Sequence, residues 1–179
     1  MKEETAIVLE YLPNGYPLEK KMMPLAQAIG ETNYTLLELI PRRGIKLEPG
    51  EIVYIGQGKR DKIYYILGRL PKEKLTESAK QQLEEFIKKV VEKKEQEFAA
   101  FFNKADAISK RFHQIELLPG FGKKHMKDII KQRQEKPFES FEDMKARIPN
   151  LPDPRKAVEK RMFKELTQVE RYNLFAREK

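Results

Sequence analysis

The period of the hydrophobic pattern changes once along this chain, at Leu75-Thr76, and that change constrains the fold more than any other feature. Before it, Ala6–Tyr11, Tyr34–Ile40, Glu51–Gly56 and Lys62–Leu70 are short runs rich in β-branched and aromatic residues. Turn-forming residues separate them at Pro13-Asn14-Gly15, Pro41-Arg42-Arg43-Gly44, Pro49-Gly50 and Gly56-Gln57-Gly58. Short strands with no long helix between most of them predict a small β-barrel over residues 1–74, OB-like or SH3-like. Pro24–Ile29 predicts one short helix, ended by Gly30. After the change, Thr76 is an expected N-cap, and Ala79, Leu83, Phe86, Val90, Phe98, Phe101, Phe102, Ala105, Ile108 and Phe112 recur at helical spacing. That spacing predicts one long helix, or two broken near Lys93–Gln96. Its phenylalanine stripe reads as core, because apolar residues at i, i+4 form the buried face of a helix. The expected fold is therefore α+β with two domains, the second (75–179) all-helical.

Within the second part, residues 117–126 (LLPGFGKKHM) carry the chemistry. An apolar helix end leads into a Pro-Gly-x-Gly turn, and a new helix opens on two lysines. Gly120 and Gly122 allow positive φ and a close approach of backbone to a ligand. The first N–H groups of the new helix have no intrahelical partner, and the helix dipole favours negative charge there. Lys123 and Lys124 add full charges at the same point. On the helix expected over 123–134, Lys123, Lys124, Lys127 and Lys131 fall within one quadrant, with Met126, Ile129 and Ile130 on the apolar side. Phosphate is the ligand this chemistry suits.

The 117–124 pattern resembles the helix-hairpin-helix element of nucleic-acid-binding proteins that recognise no particular sequence. That resemblance implies phosphate contacts at Gly120, Phe121, Gly122, Lys123 and Lys124, extended by Lys127 and Lys131. It also implies a monovalent cation held by the carbonyls of Glu116, Leu118 and Phe121, with no other cofactor. Met126 stands where the family has a small Ala. Downstream, Ser140 with Asp143 forms a helix start of the capping-box kind. The stretch from Lys136 to Met144 resembles the linker of the tandem helix-hairpin-helix modules in bacterial competence DNA receptors. The second Gly-x-Gly expected there is replaced at 148–153 by Ile148-Pro149-Asn150-Leu151-Pro152-Asp153. Asn150 tolerates positive φ, but Pro152 has no N–H to give a phosphate. Asp153 and Pro154 are expected to start a last helix over 154–166.

Hairpins of this kind also occur in DNA glycosylases of the endonuclease III type, which place a catalytic Lys shortly after the second glycine and an Asp some way beyond it. Lys124 and Asp143 stand at roughly that spacing. However, Lys124 lies in a solvated lysine column, and Asp143 lies in a helix first turn where an acid needs no catalytic reason. A non-enzymatic binder is the expectation, with a protein-interaction adaptor and a glycosylase-like lyase as alternatives.

Composition narrows the partners. The chain has 179 residues, no Cys and two His, which excludes disulfides, thiolate zinc sites and iron–sulfur clusters. Charged residues make up 36%, and the formal net charge is +8. Residues 113–179 hold sixteen Lys/Arg against eleven Asp/Glu, so most of the excess lies on the segment with the hairpin. A basic surface attracts polyanions. With no long apolar run and no signal-like start, a cytoplasmic protein without membrane contact is expected. In the first part, Arg42, Arg43, Lys59, Arg60, Tyr54 and Tyr64 are candidates for contact with a strand or a protein partner. The blocks 36–39, 53–56, 101–105 and 116–120 resemble a family of uncharacterised archaeal proteins to which RNA binding has been ascribed without a mechanism. That resemblance implies the barrel-plus-hairpin architecture, favours RNA over DNA, and suggests association with the ribosome.

Overall fold

The computed structural model describes residues 2–176 and is mixed α+β. By its internal contacts the chain forms two compact units, one of residues up to Phe86 together with those from Glu165 on, the other of residues 87–164.

The first unit is built on five strands: β1 (Thr5–Leu12), β2 (Leu25–Gly30), β3 (Leu36–Pro41), β4 (Ile52–Tyr54) and β5 (Ile63–Arg69), in the order β4-β1-β2-β3-β5. Each neighbouring pair is antiparallel. β4 and β5 therefore run the same way, and among the described residues no ladder joins them. The sheet curls into a half-barrel whose two edges stay apart, rather than the closed barrel expected. Ala6, Val8, Ala26, Ala28, Leu37, Leu39, Val53 and Ile63 line one face and pack with Leu47 and Ile55.

The helix expected at 24–29 is corrected to strand β2. All six residues of β2 are buried, because the strand sits mid-sheet with β1 and β3 on its flanks. Alanine favours helix intrinsically, but burial of both strand faces overrides that preference. Gln27, wholly buried, is satisfied by long-range partners. Its amide donates to the Lys74 carbonyl at 2.7 Å and to Tyr16 Oη at 3.2 Å, and accepts from the Thr76 N–H at 3.2 Å. A buried amide left unpaired would cost about 1–3 kcal/mol. Glu165, also wholly buried, accepts the N–H groups of Leu174, Phe175 and Ala176 at 2.9–3.0 Å and holds residues 174–176 in place.

Thr76 caps the next helix as expected, its Oγ1 accepting the Ala79 N–H at 3.1 Å. That helix is α1 (Glu77–Lys93), followed after Lys94 by α2 (Glu95–Lys104), so the stripe is two helices. In the second unit, α2 is succeeded by a two-stranded ribbon, β6 (Ala107–Ser109) and β7 (Phe112–His113), and by a 3₁₀ turn over Gln114–Leu117. An all-helical second part is thereby corrected, and Ile108 and Phe112 belong to strands. Then come α3 (Lys123–Glu135), α4 (Phe141–Arg147) and α5 (Pro154–Thr167). The phenylalanine stripe is core: Phe102 is fully buried, with the rings of Phe101, Phe121 and Phe141 centred 5.3, 6.0 and 6.4 Å away. Two arginines close helix ends. Arg133 donates to the carbonyls of Phe102 (3.1 Å) and Ala105 (2.7 Å) at the end of α2. Arg147 donates to those of Gln132 (2.5 Å) and Lys136 (2.8 Å) at the end of α3, and lies over the Phe138 ring. A cation is favoured at a helix C-terminus, where the last carbonyls lack partners. No helix of the described residues is long and apolar enough to cross a membrane.

Candidate nucleic-acid interface

Pro119 and Gly120 occupy the two central positions of a tight turn in which the Phe121 N–H donates to the Leu118 carbonyl at 3.1 Å. Gly120 has φ +84°, the left-handed conformation a type II turn requires at its third position. Phe121 is buried and ties the turn to the Phe102 cluster. Gly122 comes next, in extended conformation (φ −105°, ψ −169°), and is the N-cap of α3. Positive φ, expected at both glycines, is found at Gly120 alone. What Gly122 contributes is space, since a Cβ placed there would meet nothing within 4 Å.

The first intrahelical bond of α3 runs from the Met126 N–H to the Gly122 carbonyl at 3.0 Å. Glycine has no side chain, so no side-chain cap reaches the amides of Lys123, Lys124 and His125. The Gly122 N–H itself is taken by His125 Nδ1 at 3.1 Å, and the His125 ring packs edge-on to Phe121 at 5.8 Å. Of the backbone N–H groups expected to meet a phosphate, that of Gly122 is therefore taken, while those of Lys123 and Lys124 have no side-chain cap.

The lysines divide into two kinds. Lys123 folds back, its ammonium 3.2 Å from Glu116 Oε1 and donating to the Arg111 carbonyl at 2.8 Å. Burial would raise the Glu116 carboxyl, but the His113 N–H and the Lys123 ammonium outweigh it, and it lies below the usual carboxylate range. Lys124, Lys127 and Lys131 are exposed on α3, within an arc of about 60° at 100° per residue. Ile129 is buried on the opposite side, with Met126 and Ile130 half-buried. The Leu118 carbonyl, one of the three expected to hold a monovalent cation, already accepts the turn bond from the Phe121 N–H, which leaves it one lone pair.

Sequence reasoning missed the β6–β7 ribbon, whose two-residue tip, Lys110-Arg111, is held against α3 by the Lys123–Arg111 bond. The signal was present in Ser109, whose Oγ accepts the Arg111 N–H at 3.3 Å in a polar break between Ile108 and Phe112.

The turn before α5 copies the bend of the turn before α3 and not its capping. Asn150 adopts φ +61° after Pro149, as Gly120 does after Pro119. The N-cap of the following helix is then Asp153, whose Oδ1 accepts the N–H groups of Arg155 (3.0 Å) and Lys156 (3.3 Å). At α5 a carboxylate occupies the place that α3 leaves bare.

Asp143 serves local structure. Ser140 Oγ accepts its N–H at 3.0 Å, and its own carboxylate accepts the Glu139 N–H at 3.1 Å and pairs with Arg147 at 3.3 Å. The Glu139 N–H is the main cause of a carboxyl held below the usual range, and Arg147 adds to it.

In the first unit, three of the six basic and aromatic candidates brace loops. Arg42 Nε donates to the Arg60 carbonyl (2.7 Å), Arg60 Nε to the Gly56 carbonyl (2.8 Å), and Tyr54 Oη accepts the Gly58 N–H (2.9 Å). Arg43, Lys59 and Tyr64 are exposed.

A family model described as "Protein of unknown function (DUF655)" matches residues 2–177. The uncharacterized protein MJ0038 of Methanocaldococcus jannaschii is 42% identical over 177 residues, 98% of this chain and 80% of that protein. The crystal structure of Af1531 from Archaeoglobus fulgidus, described with the same family, is 42% identical and superposes with a TM-score of 0.83 over 98% of this chain and 100% of that one.

Proposed function

We propose that this chain, which belongs to the DUF655 family, is a non-enzymatic nucleic-acid-binding protein that grips backbone phosphate at the start of α3 through a helix-hairpin-helix element. One observation carries the reading. The N-terminus of α3 opens on a bare glycine with empty space in front of it, whereas that of α5 is filled by the Asp153 carboxylate. Phosphate is the anion for such a site, because it accepts several N–H bonds at once and takes further charge from Lys124, Lys127 and Lys131. Lys123 contributes through its backbone N–H, its side chain being turned to Glu116. A monovalent cation at the carbonyls of Glu116, Leu118 and Phe121 belongs to the same proposal.

Phosphate is common to RNA and DNA, and the preference for RNA, like an association with the ribosome, rests on the family resemblance alone. The local role of Asp143 at the start of α4 supports binding rather than lyase chemistry, since its carboxylate is spent on Glu139 and Arg147. Titrating matched single- and double-stranded RNA and DNA at several salt concentrations tests the reading. Phosphate contacts weaken with salt and tolerate sequence changes.

A further inference from the structure

We infer that the first unit carries a separate nucleotide-binding cleft, walled by Tyr11 and Tyr64 and rimmed by Arg42, Arg43 and Lys46. The cleft lies at the end of the half-barrel where β1 reaches Tyr11, β3 reaches Ile40-Pro41 and β5 begins, and its volume is about 470 Å³. That is within the range of small-molecule sites, which favour the mouths of curled sheets.

Its chemistry has two halves. The turn after β3 closes by the Ile45 N–H donating to the Arg42 carbonyl at 3.0 Å, with Gly44 at φ +81° in the left-handed position. This presents Arg43 at the tip, while the Arg42 guanidinium is steadied by its bond to the Arg60 carbonyl at 2.7 Å. Three cations border the cleft and none of its lining residues is acidic. The walls are apolar: Tyr11 packs on the sheet core, Tyr64 is 63% exposed, and Met23 is 38% exposed. An inorganic anion has no use for the tyrosines, and an uncharged apolar ligand has none for the three cations. A flat aromatic ring bearing a phosphate satisfies both, with the base on tyrosine and the phosphate on Arg43 and Lys46. Such a group comes either as a free nucleotide or as an unpaired residue of a strand. The inference stands independently of the hairpin.

The test is a titration of the full chain, labelled with ¹⁵N, with a nucleoside 5′-monophosphate. The amides of Arg43–Lys46 and Tyr64 are expected to shift and saturate, and ribose 5-phosphate and the bare nucleoside to bind more weakly. Tyr64→Ala should weaken binding about tenfold, as loss of a base–aromatic stack does. The double variant Arg43→Ala/Lys46→Ala should weaken it about as much through loss of the charged phosphate contacts. These side chains are exposed, so the rest of the spectrum should be unchanged, and Lys124→Gln should bind the monophosphate like the wild type. A short single strand that shifts the same amides at lower concentration than the monophosphate identifies the strand as the source. The reverse order identifies the free nucleotide, and both results uphold the cleft. Absence of shifts at these amides with either probe would overturn the inference. So would ribose 5-phosphate binding as tightly as the nucleotide with Tyr64→Ala silent, which would leave an anion site only.

Discussion

Gly120 lies against Pro152, so that the turn before α3 meets the turn before α5: a Cβ built on the glycine would sit 3.7 Å from the proline Cβ. The turns that meet there share a bend, at φ +84° for Gly120 and φ +61° for Asn150. They differ in the residues after the bend, an open glycine before α3 and a proline with a capping carboxylate before α5.

The two glycines should therefore fail differently when replaced. Gly120→Ala forces a Cβ into the left-handed region and should cost roughly 1–2 kcal/mol. Gly122 is extended with open space before it, so Gly122→Ala should cost less, under about 1 kcal/mol, the difference between glycine and alanine at an N-cap. Urea unfolding of both variants checks this, and equal losses would contradict the geometry.

Asp153 should be what silences the second hairpin. Asp153→Ala removes the cap of α5 and should cost about 1 kcal/mol, whereas Asp153→Gly should cost a few tenths. The glycine variant also bares the helix N-terminus, so its affinity for an oligonucleotide should rise. An unchanged or lower affinity, with the fold intact by circular dichroism, would show that the carboxylate is not the barrier.

Acidification should loosen the approach to the first hairpin through His113. Its Nδ1 accepts the Ile115 N–H at 3.1 Å, and burial, with Arg133 nearby, holds its pKa below the ordinary 6.5. The unfolded chain then takes up the proton first, so stability present above that value is lost as pH falls through it. The urea midpoint should start to drop as pH falls below about 7.5 and keep dropping until the folded-state His113 is itself protonated. His113→Asn, which keeps an acceptor without the charge, should flatten the drop. Glu116 and Asp143 have depressed values and give up their share only at lower pH.

Much of this was legible in the sequence, and the failures have physical causes. Turn residues and β-branched runs located four strands, and Thr76, Ser140 and Asp153 were read as caps because an N-cap acts within three residues of itself. β2 was misread because Ala26, Gln27 and Ala28 say helix locally, while the partners that hold Gln27 lie near residues 16 and 74–76. The ribbon at 107–113 was hidden because Phe112 falls on a helical period by coincidence. The placement of the hairpin came from Pro119, Gly120 and Gly122. The withdrawal of Lys123 to Glu116 did not, since an ion pair seven residues apart through a turn has no sequence signature.

The exposed lysines should each carry a share of the binding charge. Lys124→Gln should lower affinity modestly and reduce the slope of log K against log salt by about one unit. A slope that stays at the wild-type value would remove Lys124 from the interface.

The central claim is tested most directly at Gly122, where bulk can be added without touching charge or fold. Wild type and Gly122→Val are titrated with one labelled oligonucleotide over a range of salt, after circular dichroism has shown equal helix content. For the wild type, Kd should be roughly 10⁻⁴–10⁻⁶ M at physiological salt and should weaken as salt rises. Gly122→Val should bind at least about tenfold more weakly, because its side chain fills the space in front of the α3 amides. Equal affinity of the two proteins, or binding indifferent to salt, would contradict the account.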